Sequence, residues 1–181
     1  MSYNKDDAQK ALFFNQSGEI YMAGENTQLQ LVTFQLGEEL YGVDIMDVKE
    51  IVKVQDVRPI PNAPYYVEGI INLRSEIIPI INLHKRFHIK KLASEVADEF
   101  EEDEGGFIIL DIEGNKIGII IDRIKRVVPV EKGDIKPPPQ MLSGIGTEYI
   151  HGVVNQNDSY LIILDTRRLF NAKELQKIVE G

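Results

Sequence analysis

The residues that could carry chemistry are few, and their spacing is poor for it. The chain has three histidines and no cysteine in 181 residues. The missing cysteines remove disulfide frameworks, thiolate zinc sites and cysteine nucleophiles together. His84 and His88 are four apart and could share a helix face, but no carboxylate at a fixed spacing completes a metal site. Beside Lys85 and Arg86 they read as exposed polar residues, and His151 stands alone. No GxSxG elbow, P-loop or GxGxxG is present, so neither a serine nucleophile nor a phosphate cradle of the usual kind is expected. Asp111 and Asp122 fall on or near strands, and neither pairs with a second carboxylate. What remains is Arg74, in the polar tripeptide Arg74-Ser75-Glu76, and three carboxylates close together, Asp44, Asp47 and Glu50. That is the chemistry of recognition: a long cation at a turn, with a carboxylate to hold it. A charge pair between Arg74 and Glu50 is expected if the two segments pack together. Exposed, such a pair is worth only about 0–1 kcal/mol, so its value lies in orientation.

The element that must position Arg74 is Tyr66–Phe87, YVEGIINLRSEIIPIINLHKRF. Two β-branched apolar runs flank the tripeptide, which reads as a β-hairpin. The runs are too continuously apolar for strands covered on one side only. Ahead of it, LQLVTFQL from Leu29 alternates as a half-buried strand, and Gly37-Glu38-Glu39 is a turn. LYGVDI is a second strand, in which Gly42 suggests a bulge or a close backbone approach. Asp56–Pro64 holds Pro59, Pro61 and Pro64 and is an extended loop. Leu83–Leu92 is expected as a short basic helix. Residues 1–28 read as a flexible arm or a short docking helix. Asn171–Gly181 reads as a terminal helix, with Asn171 as N-cap and Glu174 completing a capping box.

The second half repeats the first. Phe107–Val130 lines up with Leu31–Val54 at an offset of 76, with Gly118 on Gly42 and Lys125 on Lys49. Tyr149–Phe170 lines up with Tyr66–Phe87 at an offset of 83, with Gly152 on Gly69 and Asn155 on Asn72. The longer loop Glu131–Glu148 explains the change of offset. Two ordered matches argue for a duplicated β unit. Each unit holds four or five short strands, and a sheet that small removes its edges by closing. Two small barrels side by side are therefore expected. The copy replaces Leu73-Arg74-Ser75 with Gln156-Asn157-Asp158, so the scaffold is shared and the arginine is not.

Composition bounds the function. A 43% apolar fraction supports a packed core. Seven acidic residues lie within Glu95–Glu104, read as a solvated linker, and without them the net charge falls from −9 to −2. No basic stripe is left for nucleic acid, and there is no tryptophan. A small-barrel oligonucleotide-binding module is thus the disfavoured alternative from a different class. No apolar run approaches the roughly 20 residues that span a bilayer, and the N-terminus does not read as a secretory signal. Nothing calls for a cofactor or metal.

Five stretches together resemble the CheW-type chemotaxis coupling proteins: FQLGEELYGVDIMDVKEI (34–51), IPNAPYYVEGIINLR (60–74), IIPIINL (77–83), GIIIDRI (118–124) and the closing YIHGVVNQNDSYLIILDTRRLF. The resemblance covers about residues 29–172. It implies an all-β fold of two SH3-like five-stranded barrels side by side, with short helices and a C-terminal helix over 171–181. Barrel bounds of about 43–92 and 107–165 are expected, with strands exchanged at the edges. The resemblance implies a non-enzymatic scaffold without cofactors. It would bridge the cytoplasmic tips of chemoreceptors (methyl-accepting chemotaxis proteins) and the regulatory domain of the histidine kinase CheA, in cytoplasmic arrays at the inner membrane and without inserting into it. An adaptor of the same fold in a related motility or signalling pathway is the same-class alternative. A fusion to a response-regulator domain is not expected, since the chain ends at Gly181. The family's receptor- and kinase-binding positions fall on Val48, Glu50, Ile51, Gly69, Arg74 and Gly118, with Asn72 and Leu73 in the same Asn-Leu-Arg run. Ser75 stands where the family usually has glycine, which puts the turn type in question because serine tolerates positive φ less well.

Overall fold

The computed structural model describes residues 27–89, 105–139 and 147–171, the backbone of Leu12–Phe14 and Ile20–Met22, and Lys177. The acidic run lies outside these residues, as does the expected terminal helix apart from Asn171 and a helical Lys177. The elements in order are β1 (Leu12–Phe14), β2 (Ile20–Met22), β3 (Gln28–Leu36), β4 (Glu39–Asp44), a 3-10 turn (Ile45–Asp47) and β5 (Val48–Lys53). Next come β6 (Val67–Leu73), β7 (Glu76–Asn82) and α1 (Leu83–Arg86). The second half has β8 (Gly106–Ile112), β9 (Asn115–Ile121), β10 (Arg123–Glu131), 3-10 turns at Lys132–Asp134 and Thr147–Tyr149, β11 (Ile150–Gln156), β12 (Ser159–Leu164) and α2 (Thr166–Leu169).

The repeat is visible in the strands from β3 onward and in both short helices. β3 to β7 and α1 correspond to β8 to β12 and α2. Even the helix caps match: the Asn82 side chain accepts from the Lys85 amide, and the Asp165 side chain from the Arg168 amide. The arm differs from expectation. β1 and β2 pair antiparallel, Leu12 with Met22 and Phe14 with Ile20, where a flexible arm or short helix was expected. Phe13, Phe14, Ile20 and Tyr21 are aromatic or β-branched, which favours strands.

The two sheets are mixed. One has the order β5-β8-β9-β7-β6 and the other β10-β3-β4-β12-β11. Each half therefore sends its first hairpin into the other half's sheet, and parallel joints β7–β9 and β4–β12 seal the exchange. Contiguous bounds at 43–92 and 107–165 do not bound these sheets, because whole hairpins cross and not only edges. The reason is local. From Asp44 (φ −60°, ψ 128°) to Val48 (φ −84°, ψ 122°) the chain has no positive-φ turn to fold it back, so it runs on into the neighbouring sheet.

Three apolar clusters follow from this layout. The largest lies between the sheets and includes Phe34, Tyr41, Ile81, Phe87, Ile108, Ile119, Ile162 and Phe170. One smaller cluster fills the first barrel (Ile71, Ile78, Ile80, Phe107, Ile109), and another the second (Leu31, Val130, Val154, Leu161, Ile163). Tyr41 stacks between Phe34 and Phe87, and burial, with Glu39 nearby, pushes its hydroxyl well above the usual phenol range.

Each barrel closes by one bridge between opposite edges. The chain beyond β5 returns to β6 at Arg58–Ile70, with both N–H···O bonds at 2.9 Å. The chain beyond β10 returns to β11 at Lys136–Val153, at 2.9 and 2.8 Å. A glycine stands beside each closure, and each marks a β-bulge: Gly69 and its repeat mate Gly152. The expected bulge at Gly42 is absent, and β3–β4 pair there without a break. Gly42 instead makes room for Leu31 and Leu161, each 3.4 Å from where a Cβ would stand.

Candidate docking site

Arg74 and Glu50 meet as expected. Nη1 donates to Oε1 at 2.7 Å and Nη2 to Oε2 at 2.8 Å, a two-pronged guanidinium–carboxylate pair. The Arg74 side chain is 74% exposed and that of Glu50 23%, so the pair holds the arginine in place without hiding it. Glu50 lies on β5 and Arg74 on the β6–β7 turn. These are the two margins of the first sheet, and closure of the barrel brings them together. The other two carboxylates go elsewhere. Asp44 caps the amide of Met46, and Asp47 turns inward to Thr166 and Arg167.

The turn is a two-residue hairpin between the paired Leu73 and Glu76, with Arg74 at φ 49° and Ser75 at φ 68°. Two positive φ values make it a type I′ turn, so serine does not change the turn type. The Ser75 amide is satisfied by Asn72 Oδ1 at 3.1 Å, which assigns Asn72 to the turn. Serine there still carries left-handed strain. Ser75→Gly is expected to raise stability by about 0.5–1 kcal/mol and leave partner capture unchanged. Paired thermal melts check this, and an equal or lower melting temperature would count against it.

Glu50, Gly118 and Gly69 are brought into one row that the sequence does not reveal. The strand register sets Glu50 opposite Ile109, Ile109 opposite Gly118, Gly118 opposite Ile80, and Ile80 opposite Gly69. The row faces the interior of the first barrel. A Cβ on Gly118 would stand 2.5 Å from Ile80 Cδ1, and one on Gly69 would stand 2.1 Å from the Arg58 carbonyl oxygen. Both glycines thus have a packing reason of their own. They let the sheet curl, and the curl carries the Arg74 turn over Glu50. Leu73 and Val52 pack against the barrel interior beneath that turn.

Val48 and Ile51 point the other way. A bulge between Val48 and Glu50 sets Val48 opposite Leu110 and Ile51 opposite Ile108, on the face shared by the two sheets. Val48 packs against the large core, while Ile51, at the sheet margin, is 47% exposed. The eight predicted positions therefore divide. Glu50, Arg74 and Ile51 are at the surface, Asn72 and Leu73 hold the turn, and Val48, Gly69 and Gly118 shape what lies behind it.

Sequence reasoning missed four features. Ile51 and Ile77 (49% exposed) have repeat mates Val127 (48%) and Tyr160 (46%) that are equally exposed. Each half thus carries two exposed apolar residues at matching repeat positions, and the charged residues at neighbouring repeat positions differ. Arg126 occupies the second barrel's counterpart of Glu50, and Asn157 that of Arg74. The offsets of 76 and 83 were the signal that could have found this. His84, read as exposed, is buried with Nε2 2.8 Å from Asp122 Oδ1, because α1 packs over the β9–β10 crossing. Asp122 Oδ2 also accepts from the Gly37 amide at 2.7 Å. Arg86 lies over the rings of the repeat-related Tyr66 and Tyr149, at 4.2 and 5.0 Å from their centroids. His88 follows α1 at φ 55° and stacks on Tyr65.

Among the described residues, no helix is long and apolar enough to cross a membrane, and no group of three or more His, Asp or Glu could hold a metal ion.

Comparison with known proteins shows the family and the fold. The family model described as "CheW-like domain" matches residues 30–174. A "Chemotaxis protein CheW" of Treponema pallidum is 67% identical over 157 residues, covering 87% of this chain and 91% of the relative. One of Klebsiella aerogenes is 30% identical, covering 85% and 89%. The crystal structure of the scaffolding protein TtCheW from Thermoanaerobacter tengcongensis superimposes with a TM-score of 0.70 at 37% identity, over 86% of this chain and 96% of that one.

Proposed function

The chain belongs to the CheW-like family, non-catalytic coupling scaffolds of chemotaxis, and from that premise we propose that it works through two faces, one on each barrel. The first is built on Glu50, Arg74 and Ile51, with Val48, Asn72, Leu73, Gly69 and Gly118 shaping it. It takes the helical cytoplasmic tip of a chemoreceptor at the β5 margin of the first barrel. The second is built on Val127, Tyr160 and Arg126 and takes the regulatory domain of the histidine kinase CheA. The protein thereby stands in the cytoplasm at receptor arrays, attached through its partners.

The observation that carries this reading is the matched exposure of Ile51/Ile77 and Val127/Tyr160. Apolar side chains framed by charge are the makings of an interface. A duplicated fold with two similar apolar faces and dissimilar charges can hold two different partners at once. Exposed cations and carboxylates around a dry centre contribute mainly to orientation and to rejecting wrong partners.

Titration of the purified CheA regulatory domain against wild type and Tyr160→Ala tests the second face. Loss of an aromatic anchor is expected to weaken binding about tenfold, some 1.4 kcal/mol, with the melting temperature unchanged. Equal affinity for both proteins would remove the kinase domain from that face.

A further inference from the structure

Asp47 is the last residue before β5, the strand that carries Val48, Glu50 and Ile51. It is buried, and its side chain leaves its own half of the molecule. The Thr166 hydroxyl donates to Asp47 Oδ2 at 2.9 Å in a buried bond, and Arg167 Nη1 reaches Oδ1 at 3.5 Å. Thr166 and Arg167 open α2, which follows β12 of the other sheet. The Asp47 carboxylate therefore ties the point where the chain crosses between sheets to the short helix of the opposite half.

The repeat shows that the aspartate–threonine form of this tie is not shared by the two halves. The mate of Asp47 is Arg123, and the mate of Thr166 is Leu83. At the second crossing the pin is Asp122 holding His84, one residue earlier in the repeat. Each crossing is pinned, but with different chemistry and at a different position. Only the Asp47 pin leads directly into the strand that bears the arginine's partner.

We propose that Asp47 and Thr166 are positioning residues for the first docking face. Their bond sets where β5 begins and how its bulge falls between Val48 and Glu50. That placement decides whether Glu50 meets Arg74 squarely and whether Ile51 stands outward. Without the hydroxyl, the crossing loses its anchor on α2, the first turn of β5 loosens, and Arg74 loses its fixed orientation. The inference rests on the first face being the receptor-binding one.

Thr166→Val removes the hydroxyl and keeps the shape, and Thr166→Ser keeps the hydroxyl and drops a methyl group. Hydrogen exchange of the full chain is expected to speed up in Thr166→Val over residues 45–53 and not over β10, with Thr166→Ser close to wild type. A purified receptor cytoplasmic fragment is expected to bind Thr166→Val about tenfold more weakly than Thr166→Ser, while the CheA regulatory domain binds the two alike. A merely structural role would accelerate exchange throughout and weaken both partners together, and that result would overturn the proposal. Equal receptor binding and equal exchange in the two variants would overturn it as well. Arg74→Ala in the same assay separates the two ideas. If it binds normally, the receptor face itself is misplaced. If it binds poorly while Thr166→Val binds normally, only the pin is wrong.

Discussion

Gly69→Ala is expected to lose the closed first barrel, with a destabilisation of at least about 3 kcal/mol. Gly69 has a φ of 149°, in a region that side chains rarely enter. A Cβ there would lie 2.1 Å from the Arg58 carbonyl oxygen and 2.6 Å from its carbonyl carbon. Those are backbone atoms, and they cannot rotate away. Relief requires breaking the Arg58–Ile70 bridge, which is what closes the barrel. For a domain of this size, that corresponds to a fall in melting temperature of roughly 6–12 °C. Gly152→Ala should suffer less. Its nearest obstacle is the Ile135 methyl at 2.3 Å, the end of a side chain that can shift, with backbone no closer than 2.9 Å. Melting curves of the two variants side by side check the ranking, and a Gly69→Ala protein that melts like wild type would refute this account of the closure. A loss of receptor coupling in Gly69→Ala would then be a consequence of lost shape and not of a lost contact.

Arg74→Ala is expected to do the reverse, sparing the fold and losing the partner. The guanidinium is mostly solvent-exposed, so its pair with Glu50 stabilises the free protein by no more than about 1 kcal/mol. Bound to a receptor tip, the same arginine would be desolvated in a fixed orientation, as arginines at interface hot spots are. A loss of about 2 kcal/mol, roughly 30-fold in affinity, is expected by calorimetric titration with a receptor fragment. Arg74→Lys should recover little of it, because an ammonium cannot grip Glu50 with two parallel bonds. Glu50→Ala should lose less than Arg74→Ala, since it frees the arginine without removing it. Arg74→Ala binding within twofold of wild type, at equal melting temperature, would contradict this.

The sequence carried the duplicated unit, the hairpin at Tyr66–Phe87 and the Arg74–Glu50 pair, because each shows in local pattern or in the repeat. It carried an exchange at the edges but not the exchange of the whole hairpins β3–β4 and β8–β9 between sheets. That depends on backbone angles across Ile45–Asp47, where no residue type announces a crossing. Burial of His84 was illegible for a similar reason. Its neighbours Lys85 and Arg86 mark an exposed segment, and only the packing of α1 over Asp122 turns that one side chain inward. Gly42, Gly69 and Gly118 all stood out as glycines in strands. Which of them bends the chain and which admits a neighbour's side chain was decided by residues far away, Arg58 and Ile80 among them. The exposed positions of the second barrel were legible through the offsets of 76 and 83. Val127 and Tyr160 are the repeat mates of Ile51 and Ile77, and a residue-by-residue comparison of the repeats would have drawn attention to them.

In the two-face scheme, one small β protein holds two different partners at once through its two barrels. Co-sedimentation tests it most directly, with a receptor cytoplasmic fragment, the CheA regulatory domain and the chain mixed together. The kinase domain is expected to sediment with the receptor only when the chain is present. Arg74→Ala should then leave a soluble complex of chain and kinase domain, and Tyr160→Ala should leave the chain on the receptor with the kinase domain in solution. Kinase domain sedimenting equally without the chain, or a single-face variant releasing the chain from both partners at once, would contradict it.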